Sequence, residues 1–264
     1  MLLFIAALRR ELARIEALAG DLRWERLGDG LFTEGAIRGT PMMLARSGVG
    51  KERAQRAAAL ALERRRPSAV VSLGFGGAAL PHVKAGDLVI ADRIRVEGES
   101  ERAPVFPDPA LFQRTTDALE RNGARFHTGE LLTAAKVLGP ARKAEAGGLL
   151  NICAVDMETY WVGEAAASRG IPFLAVRAVT DEVADALPDF QRFVNGAGEV
   201  RLLRAAAHFL THPRQVALAR MLAGNARRAA ESLGMFASYC HTPVYESALL
   251  GASSGAAVHA REAR

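Results

Sequence analysis

The stretch that most limits what this chain can become runs from Ala154 to Asp181, AVDMETYWVGEAAASRGIPFLAVRAVTD. It reads as a strand end, a helix and a second strand. Met157, Val162 and Ala165 to Ala167 recur at roughly 3.6-residue spacing, Gly170 stands where a C′ glycine closes a helix, and Pro172 lies just beyond it. Pro172 to Val179 is apolar apart from Arg177, and an arginine inside such a run needs a partner. Sheets of the α/β kind place their ligands at strand ends, where Glu158 opens the helix and Asp181 closes the strand. Each carboxylate also has a plainer reading: Glu158 as an acid favoured by the macrodipole in a first helical turn, and Asp181 as an N-cap.

Composition narrows the class. A chain of 264 residues forms one large α/β domain or two small ones, with core enough to need no staples. The longest uncharged run, Pro67 to Val83, is broken by serine, glycines, Pro81 and His82 and makes a poor bilayer-spanning helix. In MLLFIAALRREL the charges follow the apolar run and no convincing cleavage site appears, so we read a first core strand rather than a signal peptide. Cys153 and Cys240 form no CxxC and no zinc-type pairing with histidine, which argues against a disulfide framework and a metal site and points to the cytoplasm. The net charge of +5 and the pI near 9.7 come from arginines scattered along helices without interleaved aromatics, which speaks against a nucleic-acid partner and leaves anionic lipid surfaces open. The six histidines, His82, His127, His208, His212, His241 and His259, scatter over different elements and suggest no Ser-His-Asp grouping.

Taken in order, Leu2 to Ala7 is a buried strand followed by a helix near Arg9. Pro41 to Arg46 is the next strand. Ser47, Gly48, Val49 and Gly50 then form a loop into a helix from Lys51 to Arg65, where freed backbone N–H groups make an anion or water site, or simply a tight turn. Ala69 to Leu73 is a short strand, and Gly74-Phe75-Gly76-Gly77 lets backbone approach a cleft. A dinucleotide site using Asp92 fails on context, because Pro81 and Gly86 interrupt the required helix. Asp87 to Ala91 is a strand, Val96 to Asp108 a long loop suited to shaping a substrate, Pro109 to Arg121 a helix, Phe126 to Ala135 a strand and Pro140 to Gly148 a helix. Asn195 to Leu210 and Gln215 to Leu233 read as helices. Residues 1–235 are expected to form a single domain, and 236–264 a disordered tail.

The run VDMET followed by PFLAVRAVTDE resembles the signature of the nucleoside phosphorylase and methylthioadenosine/S-adenosylhomocysteine nucleosidase superfamily, V-E-M-E-x-x-A and then P-F-x-x-x-R-x-[IV]-[ST]-D. SGVGK at Ser47 to Lys51 and SLGFGGAALPHVKAGDLVIAD at Ser72 to Asp92 precede it in the family's order, and together the matches span roughly residues 2 to 210. Asp156, Trp161 and Phe75 depart from the pattern. The resemblance implies a three-layer α/β/α fold with a central mixed twisted sheet. It also implies cleavage of an N-glycosidic bond with release of adenine. Glu158 and Met157 would bind ribose, and Asp181 would be the proton donor to the purine. Glu11, in the place of the last acid of G-A-M-E-E-E, would position the attacking water. Val137, Leu138 and Thr180 would meet the base, while Ser47, Gly48, Gly50, Gly74 and Arg10 would surround the nucleophile. Arg9 and Arg10 stand where the nucleosidases carry acids, and a cation there suits an anionic nucleophile. No cofactor is implied, and inorganic phosphate stays open as a co-substrate.

The N-terminal A-x-L-x-x-E segment, GGAALPHVKAGDLVIAD, LPDFQRFVNGAGEVRL and the helix PRQVALARMLAGNARRAAESL most resemble the hopanoid-associated phosphorylase branch. That branch implies adenosylhopane as substrate, a lipid-linked adenine nucleoside, with peripheral contact at the inner membrane. The alternatives are a soluble methylthioadenosine/S-adenosylhomocysteine nucleosidase acting on a small molecule, and a non-catalytic purine nucleoside binder. The family further implies a homo-oligomer.

Overall fold

The computed structural model describes residues 1–20, 22–187, 218 and 220–241. Among the described residues nine strands form one mixed sheet: β1 (Leu2–Ala6), β2 (Glu25–Leu27), β3 (Gly30–Ile37), β4 (Thr40–Arg46), β5 (Ala69–Ala78), β6 (Leu88–Val96), β7 (Phe126–Thr133), β8 (Ile152–Asp156) and β9 (Phe173–Asp181). Their order is β2-β3-β4-β1-β5-β8-β7-β6-β9, and β9 also pairs with β5. That last pairing curls half of the sheet into a closed ring of β5, β8, β7, β6 and β9. The flanking helices are α1 (Arg9–Ala19), α2 (Lys51–Arg64), α3 (Pro109–Arg121), α4 (Pro140–Leu150), α5 (Thr159–Ala167) and α6 (residues 220–241). The expected α/β architecture, a mixed twisted sheet covered by helices, is what the chain adopts.

Every residue of β1 is buried, because helices cover both of its faces. Leu2 and Phe4 join Leu12, Ile15, Leu233 and Phe236 on the side of α1 and α6, whereas Leu3 and Ile5 join Ala54, Ala58, Val162 and Phe173 on the side of α2 and α5. Ala54, Ala57, Ala58 and Ala61 make one small-residue stripe on α2, which lets that helix lie close to the sheet. Ile5, Ala45, Ser72 and Ala175 stand in register across β1, β4, β5 and β9. The chain just beyond that line carries the candidate site.

Several sequence expectations need correction. The hairpin β2–β3 precedes the strand that was expected to follow α1 directly; only Phe32 and Ile37 are buried apolar anchors in it, and its charged edge hides the pattern. Gly74 to Gly77 is not a loop but the outer half of β5. Its glycines answer to crowding, since a Cβ on Gly74 would lie 2.8 Å from Glu11 Oε1 and one on Gly77 2.7 Å from Asp181 Oδ2. Strand β6 runs on to Val96, five residues past its expected end, because β7 pairs with it throughout. Residues 236–241, expected in the tail, belong to α6, where Phe236, Ala237, Cys240 and His241 are buried and packing holds them in the helix. The expected helix Asn195 to Leu210 and the rest of the tail lie outside the described residues.

Candidate active site

Glu11 lies in the first turn of α1 and is buried. Its Oε2 accepts from the Leu8 N–H at 2.6 Å, and its Oε1 accepts from the Phe75 N–H on β5 at 2.7 Å. Burial pushes its pKa up from the usual carboxylate range, against those donors and the charge of Arg177.

Glu158 is the N-cap residue of α5, and its Oε1 accepts from the Gly50 N–H at 2.7 Å. Its pKa is pushed up to about 8, first by burial of the carboxyl and then by the charge of Asp156; the Gly50 N–H opposes both. Gly50 has φ +98, and with Gly48 at φ +80 it makes the reversal that brings this amide to the carboxylate.

Asp156, noted in the sequence as a departure, supplies the partner that Arg177 requires. Its Oδ2 accepts from Arg177 Nε at 2.9 Å and Nη2 at 2.7 Å, and from the Thr159 N–H at 2.8 Å. Thr133 Oγ1 donates to Oδ1 at 2.7 Å, and Arg177 Nη2 also donates to Ser72 Oγ at 3.0 Å. A buried pair this fully hydrogen-bonded fixes the start of α5, and so the position of Glu158.

Glu11 and Glu158 face one cavity of about 10 Å³, whose walls include Ala6, Ser47, Gly74 and Arg177. That is about the room of a single water. Asp181 lies outside this lining, against Gly77, three strand residues or roughly 10 Å from Gly74. It is 3% exposed. Burial pushes its pKa up, and the ammonium of Lys143 and a hydrogen bond from Thr180 pull against that. Thr180 Oγ1 donates to Asp181 Oδ1 at 2.9 Å, and Lys143 Nζ donates to Oδ2 at 2.6 Å.

The structure thus brings Glu11, Glu158, Ser47 and Gly74 together, joins Gly50 to them through its amide, and keeps Asp181 apart at the end of β9, beside Gly77 of β5. Met157 is half-buried beside Glu158. Leu138 packs with Ala79, Leu132, Ala146 and Val155, and Val137 is exposed; neither borders the cavity. Arg10 is exposed on α1, because its place in the turn points away from the sheet. The expected anion cradle at Ser47 to Gly50 is largely used up within the fold. Ser47 N–H and Gly48 N–H donate to the carbonyls of Ala6 and Ala7, and Ser47 Oγ donates to Gly48 O. Sequence reasoning missed Lys143, although a lysine sharing one helix face with Ala146 and Gly147 was a readable signal. Among the described residues, no group of three or more His, Cys, Asp or Glu could hold a metal ion, and no helix is long and apolar enough to cross a membrane.

A family model described as the phosphorylase superfamily matches residues 2–210. The chain belongs to the phosphorylase superfamily. A 5′-methylthioadenosine/S-adenosylhomocysteine nucleosidase of Geobacillus kaustophilus is 29% identical over 166 residues, 57% of this chain and 71% of that protein. The crystal structure of the enzyme of that name from Neisseria meningitidis, in complex with methylthio-immucillin-A, superposes with a TM-score of 0.71 at 20% identity, covering 90% of this chain and 97% of that one. The futalosine hydrolase of Helicobacter pylori superposes with a TM-score of 0.70 at 16% identity, covering 90% and 96%. These relatives of the phosphorylase superfamily bear out the expected fold and the expectation of an enzyme of the nucleosidase kind.

Proposed function

We propose that this phosphorylase-superfamily protein hydrolyses adenine nucleosides of the methylthioadenosine/S-adenosylhomocysteine type. The observation that carries the reading is the pair Glu11 and Glu158 facing a cavity with room for one water. In the proposed reaction Glu158, in its ionised form, accepts hydrogen bonds from the ribose hydroxyls and favours the positive charge that grows at the anomeric carbon. Glu11, with its raised pKa, holds the attacking water and takes its proton. Asp181 delivers a proton to purine N7, so the electron pair of the breaking C–N bond leaves on neutral adenine. Water is favoured over phosphate because the Ser47 and Gly48 amides are already donated within the fold. Val137, Leu138 and Thr180 stay with the base side, and Met157 with the ribose, in this proposal.

A second reading, a lipid-linked adenine nucleoside such as adenosylhopane, is favoured by one further observation. A groove of about 500 Å³ lies along α1, lined by Arg9, Leu22, Trp24, Leu31 and Arg46 among others. Arg9 and Arg46 are two and one residues away from Glu11 and Ser47 of the cavity, and Leu22, Trp24 and Leu31 give the groove an apolar part among the charged residues Arg9, Glu16 and Arg46. A homo-oligomer belongs to either reading. Leu149, 77% exposed, and Leu150, 53% exposed, offer a second copy an apolar contact at the end of α4.

The test is adenine release from methylthioadenosine and from a triterpenoid adenine nucleoside, each with and without phosphate. Phosphate-independent release from methylthioadenosine supports the main reading, and release from the lipid substrate alone supports the second. A phosphate requirement would replace hydrolysis by phosphorolysis. Tight binding without release would make the protein a nucleoside binder.

A further inference from the structure

Lys143 is fully buried on α4 and none of the chemistry above uses it. A lysine ammonium has three protons to donate, and here each has an acceptor. Lys143 Nζ donates to Asp181 Oδ2 at 2.6 Å, to the carbonyl of Glu182 at 2.6 Å and to the carbonyl of Asp185 at 3.3 Å. The last two acceptors lie in the turn that follows β9, which is itself closed by the Glu182 N–H donating to Asp185 Oδ2 at 2.8 Å. On the other side, α4 packs so closely that a Cβ on Gly147 would lie 2.1 Å from the Ala79 carbonyl oxygen just past β5. The helix has no freedom to withdraw the lysine. Burying an ammonium is expensive unless it is paired and hydrogen-bonded, and a hydrocarbon side chain at this position would spare that cost.

We infer that Lys143 is a positioning residue for the reaction proposed above, clamping the Asp181 carboxylate in one orientation and locking the turn 182–185 to it. The inference rests on Asp181 being the proton donor. The clamp occupies Oδ2 and leaves Oδ1, which accepts from the Thr180 hydroxyl, as the oxygen to meet a base. Among the described residues the charged groups nearest Asp181 are Lys143 from α4 and Asp185 from the turn, and Lys84 is occupied by Glu182. Lys143 is therefore the one cation that opposes protonation of Asp181 directly.

The experiment compares wild type, Lys143→Met and Lys143→Arg in adenine release from methylthioadenosine as a function of pH. Lys143→Met is expected to lower kcat about 10–100-fold, as misplaced groups do, while KM stays within a few-fold. Its kcat/KM should lose activity at a pH roughly 1–3 units higher than wild type on the alkaline side, because removing the cation lets Asp181 keep its proton longer. Lys143→Arg, which keeps the charge, should restore the wild-type limb. An unmoved alkaline limb in Lys143→Met would overturn the inference while leaving the proposed function intact. Wild type that releases no adenine would overturn the proposed function instead. Should Lys143→Met alone not fold, thermal melts of Asp181→Asn and of Asp181→Asn/Lys143→Met decide. The lysine change must cost clearly less in the Asn background, and equal cost in both backgrounds would sink the clamp.

Discussion

Two carboxylate environments lie along the same strand, and they are built differently. At Gly74 the carboxylates of Glu11 and Glu158 are held by backbone N–H groups, and among the described residues no cation pairs with them directly. At Gly77 the carboxylate of Asp181 is held by a buried ammonium. Neutral donors hold a carboxylate in place yet leave burial free to raise its pKa, which is the condition for exchanging protons with water near neutral pH. A buried cation holds its partner and opposes its protonation, against the burial that pushes the Asp181 pKa up. The two ends of the site therefore respond to opposite manipulations.

The largest effect should come from breaking the Gly77 end. Asp181→Asn is expected to lower adenine release about 10²–10⁴-fold, the usual worth of general acid help, while a nucleoside analogue still binds; turnover at the wild-type rate would remove Asp181 from the reaction. At the other end, Glu158→Gln should weaken both binding and turnover. It should also change stability with pH in a defined direction. A carboxylate whose pKa is about 8 when folded and near 4.5 when unfolded holds its proton more tightly in the folded chain, so stability is lost as pH rises through that window. Glu158→Gln should thus raise Tm at pH 8, by about 2–4 °C for each kcal/mol relieved, and leave Tm unchanged near pH 4. Melts at the two pH values check this.

A smaller effect tests the close approach itself. Gly74→Ala forces a methyl to within 2.8 Å of Glu11 Oε1 and should cost about 1–3 kcal/mol of stability, read by chemical denaturation, together with a loss of activity. The smallest is expected at Arg10, which lies exposed and apart from both ends. Arg10→Ala should change stability by no more than about 0.5 kcal/mol and should leave adenine release nearly untouched. A large loss there would bring the phosphate reading back.

Much of this layout was readable in the chain. The α5–β9 unit, the helices at Pro109 and Pro140 and the three carboxylates are local signals, carried by periodicity, proline and glycine punctuation and a family pattern. What stayed hidden depends on partners distant in sequence. Gly74 to Gly77 reads as a loop because three of its four residues are glycines without strand propensity, and only Glu11, Arg177 and Asp181 on other elements explain why nothing larger fits at the glycines. Asp156 reads as a deviation until Arg177 is found beside it. Lys143 shares a helix face with Ala146 and Gly147, but its acceptors come 38 or more positions later and only the fold brings them to it. The hairpin β2–β3 is concealed by its own charged edge.

The second pairing of β9 has one more consequence. A sheet that returns to its own fifth strand has no loose margin on that side, whereas β2 ends the other side with a single neighbour. Deuterium entering the backbone should therefore advance from the hairpin inward and reach the amides of Val176 and Arg177 among the last. The segment carrying the reaction would then come apart only when the whole molecule does.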